Sequence, residues 1–198
     1  ELRRFAENIG APIMTTPCGR GSIPEDHPLA IGQVGLYRSK VGKEVQENSD
    51  LIITIGSRNE EFQSGAWRYF PKGAKYVQID IDPFEIGRNW IPDVGIVGDA
   101  KLVLADLISR LLERVKKRRL EDMPRISAMI KSKKEYEACV ENECKSDAVP
   151  LETKRIVREL NKVFGSGTIL CNENGMQDLW SYYFPYYKVY DLGDTLPP

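Results

Sequence analysis

Tyr76-Val77-Gln78-Ile79-Asp80-Ile81-Asp82-Pro83 runs on through Phe84 to Asn89 and then into Val94-Gly95-Ile96-Val97-Gly98-Asp99, and this stretch decides the fold. Apolar and polar residues alternate from Tyr76 to Ile81, which predicts a strand, and Pro83 stops it because proline cannot extend a central ladder. A short helical segment is predicted over 84–89, then a second strand over 94–97. Both strands end in a carboxylate. In an open parallel sheet, ligands bind beyond the carboxyl ends of the strands, and a carboxylate there can accept hydrogen bonds from ribose hydroxyls. Asp82 and Asp99 fit equally well as caps of the segments that follow them, a common use of Asp. The order strand, Asp-x-Asp-Pro, helix, strand, Gly-Asp, helix is more specific than either carboxylate.

Upstream, Leu51-Ile52-Ile53-Thr54-Ile55 is the clearest strand, apolar on both faces like a central parallel strand. It ends in Gly56-Ser57-Arg58. The Arg58 guanidinium suits a pyrophosphate, whose oxygens match its fork, or a surface salt bridge to Glu60 or Glu61. Residues 12–15 form a further short strand. With 51–55, 76–81 and 94–97 it is predicted to lie in one parallel sheet. After it comes a loop rich in Gly and Pro, Thr16 to Pro24. There Gly19 and Gly21 flank Arg20 and would let the backbone approach a phosphate, or simply make a turn. Gly32 and Gly35 sit in a second glycine-containing segment.

Helices are predicted over 1–9, closed by Gly10 and without an N-cap, so that more chain is expected upstream; over 42–48; and from Asp99 onward. In the last, Val103, Leu104, Leu107, Ile108, Leu111, Leu112 and Val115 make one apolar face. Lys116 to Arg119 offsets its macrodipole. Residues 119–149 are dense in charge and read as a partly helical linker between a first unit, 1–118, and the start of a second, 150–198. In that second unit Ile156, Leu160, Val163 and Phe164 predict a helical face, Thr168 to Cys171 a strand, and Trp180 to Tyr190 an aromatic segment.

The chain has 198 residues, is 41% hydrophobic and carries a net charge of -1. That allows a real core and gives no reason to expect nucleic acid or an acidic membrane surface. No run is long and apolar enough to span a bilayer, and no signal peptide is visible. Cys18, Cys139, Cys144 and Cys171 are scattered, which predicts free thiols in a reducing cytoplasm rather than zinc. The single histidine, His27, lies between Asp26 and Pro28, and a loop role is expected.

The segments Thr16 to Gly21, Asp26 to Gly35, Gly56-Ser57-Arg58 and Ile79 to Pro83 with Gly98-Asp99-Ala100-Lys101 together resemble the central domain of thiamine-diphosphate-dependent enzymes. Acetolactate synthase and its relatives are the nearest likeness. Residues 150–198 resemble the opening of that family's pyrophosphate-binding domain, with Gly175-Met176-Gln177 to Trp180 in the segment after its first strand. The resemblance implies an α/β fold, an open Rossmann-like parallel sheet of six strands with helices on both faces. It also implies FAD in some members, ADP in others, and an empty domain in others again. Thr16, Pro17, Cys18, Gly32 and Gln33 would then lie along the flavin and ribityl half. Gly56, Ser57 and Arg58 would meet the diphosphate. Asp80, Ile81, Asp82 and Glu85 would surround the adenosine, and Gly98, Asp99 and Ala100 would close over the adenine. Asn59, Glu60 and Glu61 depart from the family's pattern after Arg58.

For the parent protein the resemblance implies thiamine diphosphate and Mg2+, a small 2-oxo acid substrate and a homo-oligomer of at least two subunits. The catalytic glutamate and the Gly-Asp-Gly segment with its downstream Asn have no counterpart in these residues, since Gly193-Asp194-Thr195 lacks the second Gly. The chain is therefore expected to be an inactive fragment with no catalytic or metal residue of its own. A thiamine-dependent decarboxylase or lyase, and a non-catalytic adenine-nucleotide module, are the alternative readings.

Overall fold

The computed structural model describes residues 1–114, 118–172 and 175–196, with the backbone alone at 176–178. Val115 and the first two lysines of the basic run, like Glu173 and Asn174, lie outside the described residues.

The chain is α/β, with parallel strands between helices. Helix α1 (Leu2–Ile9) ends at Gly10 in the left-handed conformation. Strand β1 (Ile13–Thr15) pairs parallel with β2 (Ala30–Gln33), Ile13 opposite Ala30 and Thr15 opposite Gln33. Helix α2 (Lys40–Glu47), capped by the Ser39 hydroxyl, leads to β3 (Leu51–Ile55). After a one-turn helix, α3 (Glu61–Ser64), come β4 (Lys75–Asp80), β5 (Val94–Val97) and helix α4 (Ala100–Arg114). Strands β3, β4 and β5 form one parallel ladder, with Leu51 opposite Lys75 and Val77 opposite Val94. None of the predicted strands is antiparallel to another, but 12–15 does not join the ladder of the other three. Its partner is β2, which lies in the second glycine-containing segment. Gly32 at its centre hides the strand, because glycine weakens the β signal and here marks a close backbone approach.

Two apolar layers hold the sheet. Phe5 of α1 packs with Leu104 and Ile108 of α4 against Ile53 and Ile55 of β3. This is the α4 face that the periodicity predicts, although Leu112 remains half exposed. Ala6, Leu29, Ile31 and Val41 pack with Ile126 and Met129 of α5 (Pro124–Glu143). That helix spans 20 residues in the segment read as a partly helical linker. Its buried stripe of Ile126, Met129, Lys133 and Val140 follows helical spacing but is narrow and contains a lysine, so charge outweighs it in the sequence.

The predicted helix over 84–89 is a run of turns instead, with Glu85 N–H donating to Asp82 O at 3.1 Å and Arg88 N–H to Glu85 O at 3.3 Å. A buried side chain explains the difference. Gln78 of β4 donates to Glu85 O at 2.8 Å and accepts from Gly87 N–H at 2.9 Å, fixing backbone groups that a helix would use internally.

Beyond α5, helix α6 (Thr153–Phe164), β6 (Leu170–Cys171), α7 (Met176–Tyr182) and β7 (Thr195–Leu196) follow, with β6 and β7 parallel. The predicted apolar face of α6 is turned outward: Ile156, Leu160, Val163 and Phe164 are all exposed, and the buried side carries Val157 and Asn161. Asn161 decides this orientation by pairing with the Lys188 backbone, donating to its carbonyl at 3.0 Å and accepting from its N–H at 3.1 Å.

The aromatic segment 180–190 lies on the β1–β2 end of the molecule. An ion pair clamps it there. Arg20, 1% exposed, donates to both Glu25 oxygens at 2.8 and 2.7 Å, and to the carbonyls of Ser181 and Tyr187, each at 2.8 Å. Glu25 Oε2 also accepts from Val189 N–H at 2.9 Å. Gly21, at φ +83°, lets the two backbones touch, since a Cβ there would overlap the Asp191 carbonyl. Lys133 of α5, 4% exposed, adds hydrogen bonds to the carbonyls of Glu25 at 3.2 Å and His27 at 2.7 Å.

Two stability effects are expected. Glu25→Ala leaves the Arg20 guanidinium buried without its partner and costs about 3–5 kcal/mol, read by urea denaturation. Burial pushes the Lys133 ammonium down to about 8, against 10.5 unfolded, with the attraction of Glu137 only partly opposing it. Between those two values the unfolded chain holds more protons, so this group's contribution to stability rises with pH. Relative to Lys133→Met, the wild type should therefore gain stability from pH 8 to 10.5, by up to about 3 kcal/mol. Equal stability differences at both ends of that window would show that the ammonium is not desolvated.

Candidate functional site

Because β3, β4 and β5 are parallel, their ends meet on one edge: Gly56-Ser57-Arg58, Asp80-Ile81-Asp82 and Gly98-Asp99-Ala100. The three carboxylates hold their own turns. Asp80 Oδ1 accepts from Asp82 N–H at 3.0 Å, Asp82 Oδ1 from Phe84 N–H at 2.9 Å, and Asp99 Oδ1 from Leu102 N–H at 3.0 Å. Asp99 thus caps α4, the simpler of the two sequence readings, and Asp82 holds the turn that stands where a helix is predicted. This leaves room for the other reading, because an ionised carboxylate has about four acceptor positions. Asp82 and Asp99 are exposed, and Asp80 is buried.

Arg58 makes the surface pair, Nη2 to Glu60 Oε1 at 2.9 Å, with its side chain 60% exposed. A pair that open to water is worth about 0–1 kcal/mol, so a phosphate could replace Glu60 at little cost. Glu85 pairs with Arg88 at 2.6 Å. Between them is a cleft of about 230 Å³ lined by Arg58, Glu60, Glu61, Trp67, Arg88 and Asn89.

Trp67, Arg88 and Asn89 escaped the sequence reading. Asn89 donates to Arg58 O at 2.7 Å and so fixes the turn that carries the guanidinium. Trp67 reaches the cleft through a left-handed turn, Gly65-Ala66-Trp67, with φ of +60°, +53° and +60°. Left-handed geometry costs about 1–2 kcal/mol for each residue bearing a Cβ. It is offset here by the Trp67 indole N–H donating to Asn59 O and its backbone N–H to Ser64 Oγ, each at 3.1 Å. Nothing in the identities of Ala66 and Trp67 announces that turn. Strain of this kind gathers at ligand sites.

At the β1–β2 end the predicted residues are placed differently. Thr16 Oγ1 accepts from Gly19 N–H at 3.1 Å, capping a short turn that contains Pro17 and the exposed Cys18. Gly32 and Gln33 are fully buried beneath residues 182–184. Of the two readings of Gly19-Arg20-Gly21, the ordinary turn fits the geometry: the Arg20 cation points inward and is satisfied by Glu25 and two carbonyls. His27 is structural. Its Nδ1 accepts from Leu29 N–H at 3.2 Å, so Nε2 carries the proton that faces Glu7, also at 3.2 Å.

All four cysteines are free. Among the described residues no cluster of His, Cys, Asp or Glu is placed to hold a metal ion, and no helix is long and apolar enough to cross a membrane. Asp194 turns its carboxylate onto Asp191 N–H at 3.0 Å.

Comparison with known proteins adds an independent finding. Residues 1–107 match the family described as "Thiamine pyrophosphate enzyme, central domain". The chain is 36% identical over 193 residues to a probable acetolactate synthase large subunit of Methanocaldococcus jannaschii, covering 93% of this chain and 31% of that one. An acetolactate synthase large subunit of Corynebacterium glutamicum is 36% identical over 186 residues, 93% of this chain and 29% of its own. A glyoxylate carboligase of Escherichia coli O157:H7 is 33% identical over 179 residues, 90% and 30%. The chain thus spans about a third of the length of these relatives.

The cap at the head of α4 gives a direct test. Asp99→Ala should cost about 1 kcal/mol, within the 0.5–2 kcal/mol typical of a lost N-cap, and shift the urea midpoint with an unchanged slope.

Proposed function

Since the chain belongs to the thiamine pyrophosphate enzyme family through its central domain, we propose that it is the nucleotide-holding part of an acetolactate-synthase-type enzyme. The parent protein would decarboxylate a 2-oxo acid, pyruvate first among them, and join the resulting two-carbon unit to a second carbonyl. Thiamine diphosphate and Mg2+ would supply the carbanion chemistry there, and no residue of this chain is assigned to them. The role proposed for these residues is structural binding. The diphosphate of an adenine nucleotide takes the place of Glu60 on Arg58, and the carboxylates of Asp82 and Asp99 accept its ribose and base donors.

The observation that carries this reading is the convergence of Arg58, Asp82 and Asp99 on one sheet edge, in a chain aligned over 93% of its length with an acetolactate synthase relative. A homo-oligomer and a cytoplasmic location are part of the same proposal, as the family resemblance implies. The glyoxylate carboligase relative supports a second reading, in which glyoxylate is the 2-oxo acid.

The test is the natural gene product supplied with thiamine diphosphate and Mg2+ and offered pyruvate or glyoxylate. Acetolactate formed from pyruvate at least tenfold faster than glyoxylate is consumed is the expected result. The reverse preference selects the carboligase reading. No decarboxylation of either acid leaves a nucleotide-binding module without chemistry. The 198-residue chain alone should form no acetolactate.

A further inference from the structure

The two halves of the proposed nucleotide crevice differ in one respect: one is open and the other is filled by the protein itself. At the open half, a Cβ on Gly56 would find no atom within 4 Å, and Arg58, Asp82 and Asp99 are exposed. The family resemblance would lay the flavin and ribityl chain along Thr16 to Cys18 and Gly32-Gln33; Cys18 is exposed, and the filled part is Gly32-Gln33. There Gln33 is 0% exposed and its amide donates to Tyr182 O at 2.8 Å. Gly32, at φ +96°, has its open face 2.7 Å from Phe184 Cβ, measured from where a Cβ would stand. Phe184 is itself 0% exposed, with the ammonium groups of Lys133 and Lys188 5.2 and 5.7 Å from its ring centre. The Tyr37 ring packs against Tyr182 and Tyr183 at 4.9 and 6.0 Å, and the Tyr183 hydroxyl donates to Leu36 O at 3.3 Å.

This filling is not a loose flap. The Arg20 clamp grips Ser181 O and Tyr187 O, one on each side of Phe184. To seat a three-ring flavin against Gly32 and Gln33, the chain would have to lift residues 182–184. That would break the Gln33 bond and pull against a buried, fully hydrogen-bonded ion pair. Cores resist such displacement because they are close-packed and have no void to take up the shift.

We infer that this crevice takes a compact adenine nucleotide, of the nucleoside-diphosphate class, and excludes the flavin half of FAD. The inference rests on the proposed nucleotide role of Arg58, Asp82 and Asp99 and adds the size limit to it. FAD then gains nothing over ADP, because only its adenosine-diphosphate end finds a surface to bind.

Isothermal titration calorimetry of the 198-residue chain with ADP, FAD and FMN separates the two levels. Binding of ADP, with FAD within fivefold of it and FMN without heat, is the expected result. Arg58→Ala, a change at an exposed side chain, should weaken ADP and FAD alike by about tenfold, the loss of one charge-assisted contact. FAD binding more than fivefold tighter than ADP, or any binding of FMN, overturns the size limit while leaving the nucleotide reading standing. If neither ADP nor FAD binds, or if Arg58→Ala leaves the ADP affinity unchanged, the nucleotide reading fails and the size limit with it.

Discussion

The buried pair of Arg20 and Glu25 is the interaction on which the rest of this structure depends. A guanidinium out of water costs several kcal/mol unless its donors are met, and here both Glu25 oxygens and two carbonyls meet them. Those carbonyls belong to Ser181 and Tyr187, more than 150 residues along the chain, so the pair works as a clamp as well as a charge contact. Everything laid over the β1–β2 end follows from it: the burial of Phe184 and Gln33, the backbone contact at Gly21, and the trapping of Lys133 beneath the same segment. Helix α5 shares in this arrangement by feeding Ile126 and Met129 to one core and Val140 to the next, with Lys133 between them.

At the opposite end of the sheet, weak interactions dominate, and that contrast is what makes a site there. The Arg58 guanidinium is met by an exposed salt bridge, and Asp82 and Asp99 each use one oxygen on a nearby N–H. Capping and ligand binding are compatible roles for such groups. The cap fixes the carboxylate, and the unused acceptor positions remain available to a partner. The left-handed turn at Gly65-Ala66-Trp67 is the one place nearby where backbone strain accompanies an aromatic wall of the cleft.

Much of the sheet is legible in local pattern. Strand β3 is a run of five apolar or β-branched residues, β4 alternates up to Asp82-Pro83, and α4 repeats its apolar face every three to four residues. These signals are short-range and survive any tertiary context. Three elements are less legible, for equally physical reasons. Gly32 masks β2, Lys133 and many flanking charges mask α5, and the Gln78 amide unwinds 84–89 from inside the sheet. On α6 the periodicity is real but its direction is not in the sequence, since Asn161 rather than the apolar stripe finds the partner.

The sequence by itself determined the α/β class, the parallel strand ends rich in Gly, Arg and Asp, and the family they resemble, because strand propensity and turn chemistry act between neighbours in the chain. Only the tertiary structure decided what those residues face. Gly19-Arg20-Gly21 and Gly56-Ser57-Arg58 look alike as sequence, each an arginine within two residues of a glycine and downstream of a strand. Glu25 lies five residues from Arg20 and, with the distant carbonyls, draws it inward; Glu60 lies two residues from Arg58 and holds it at the surface. Whether a guanidinium becomes a structural clamp or an open anion site depends on the desolvation that its partners can offset, and partners brought from residues 181–189 cannot be read from either tripeptide.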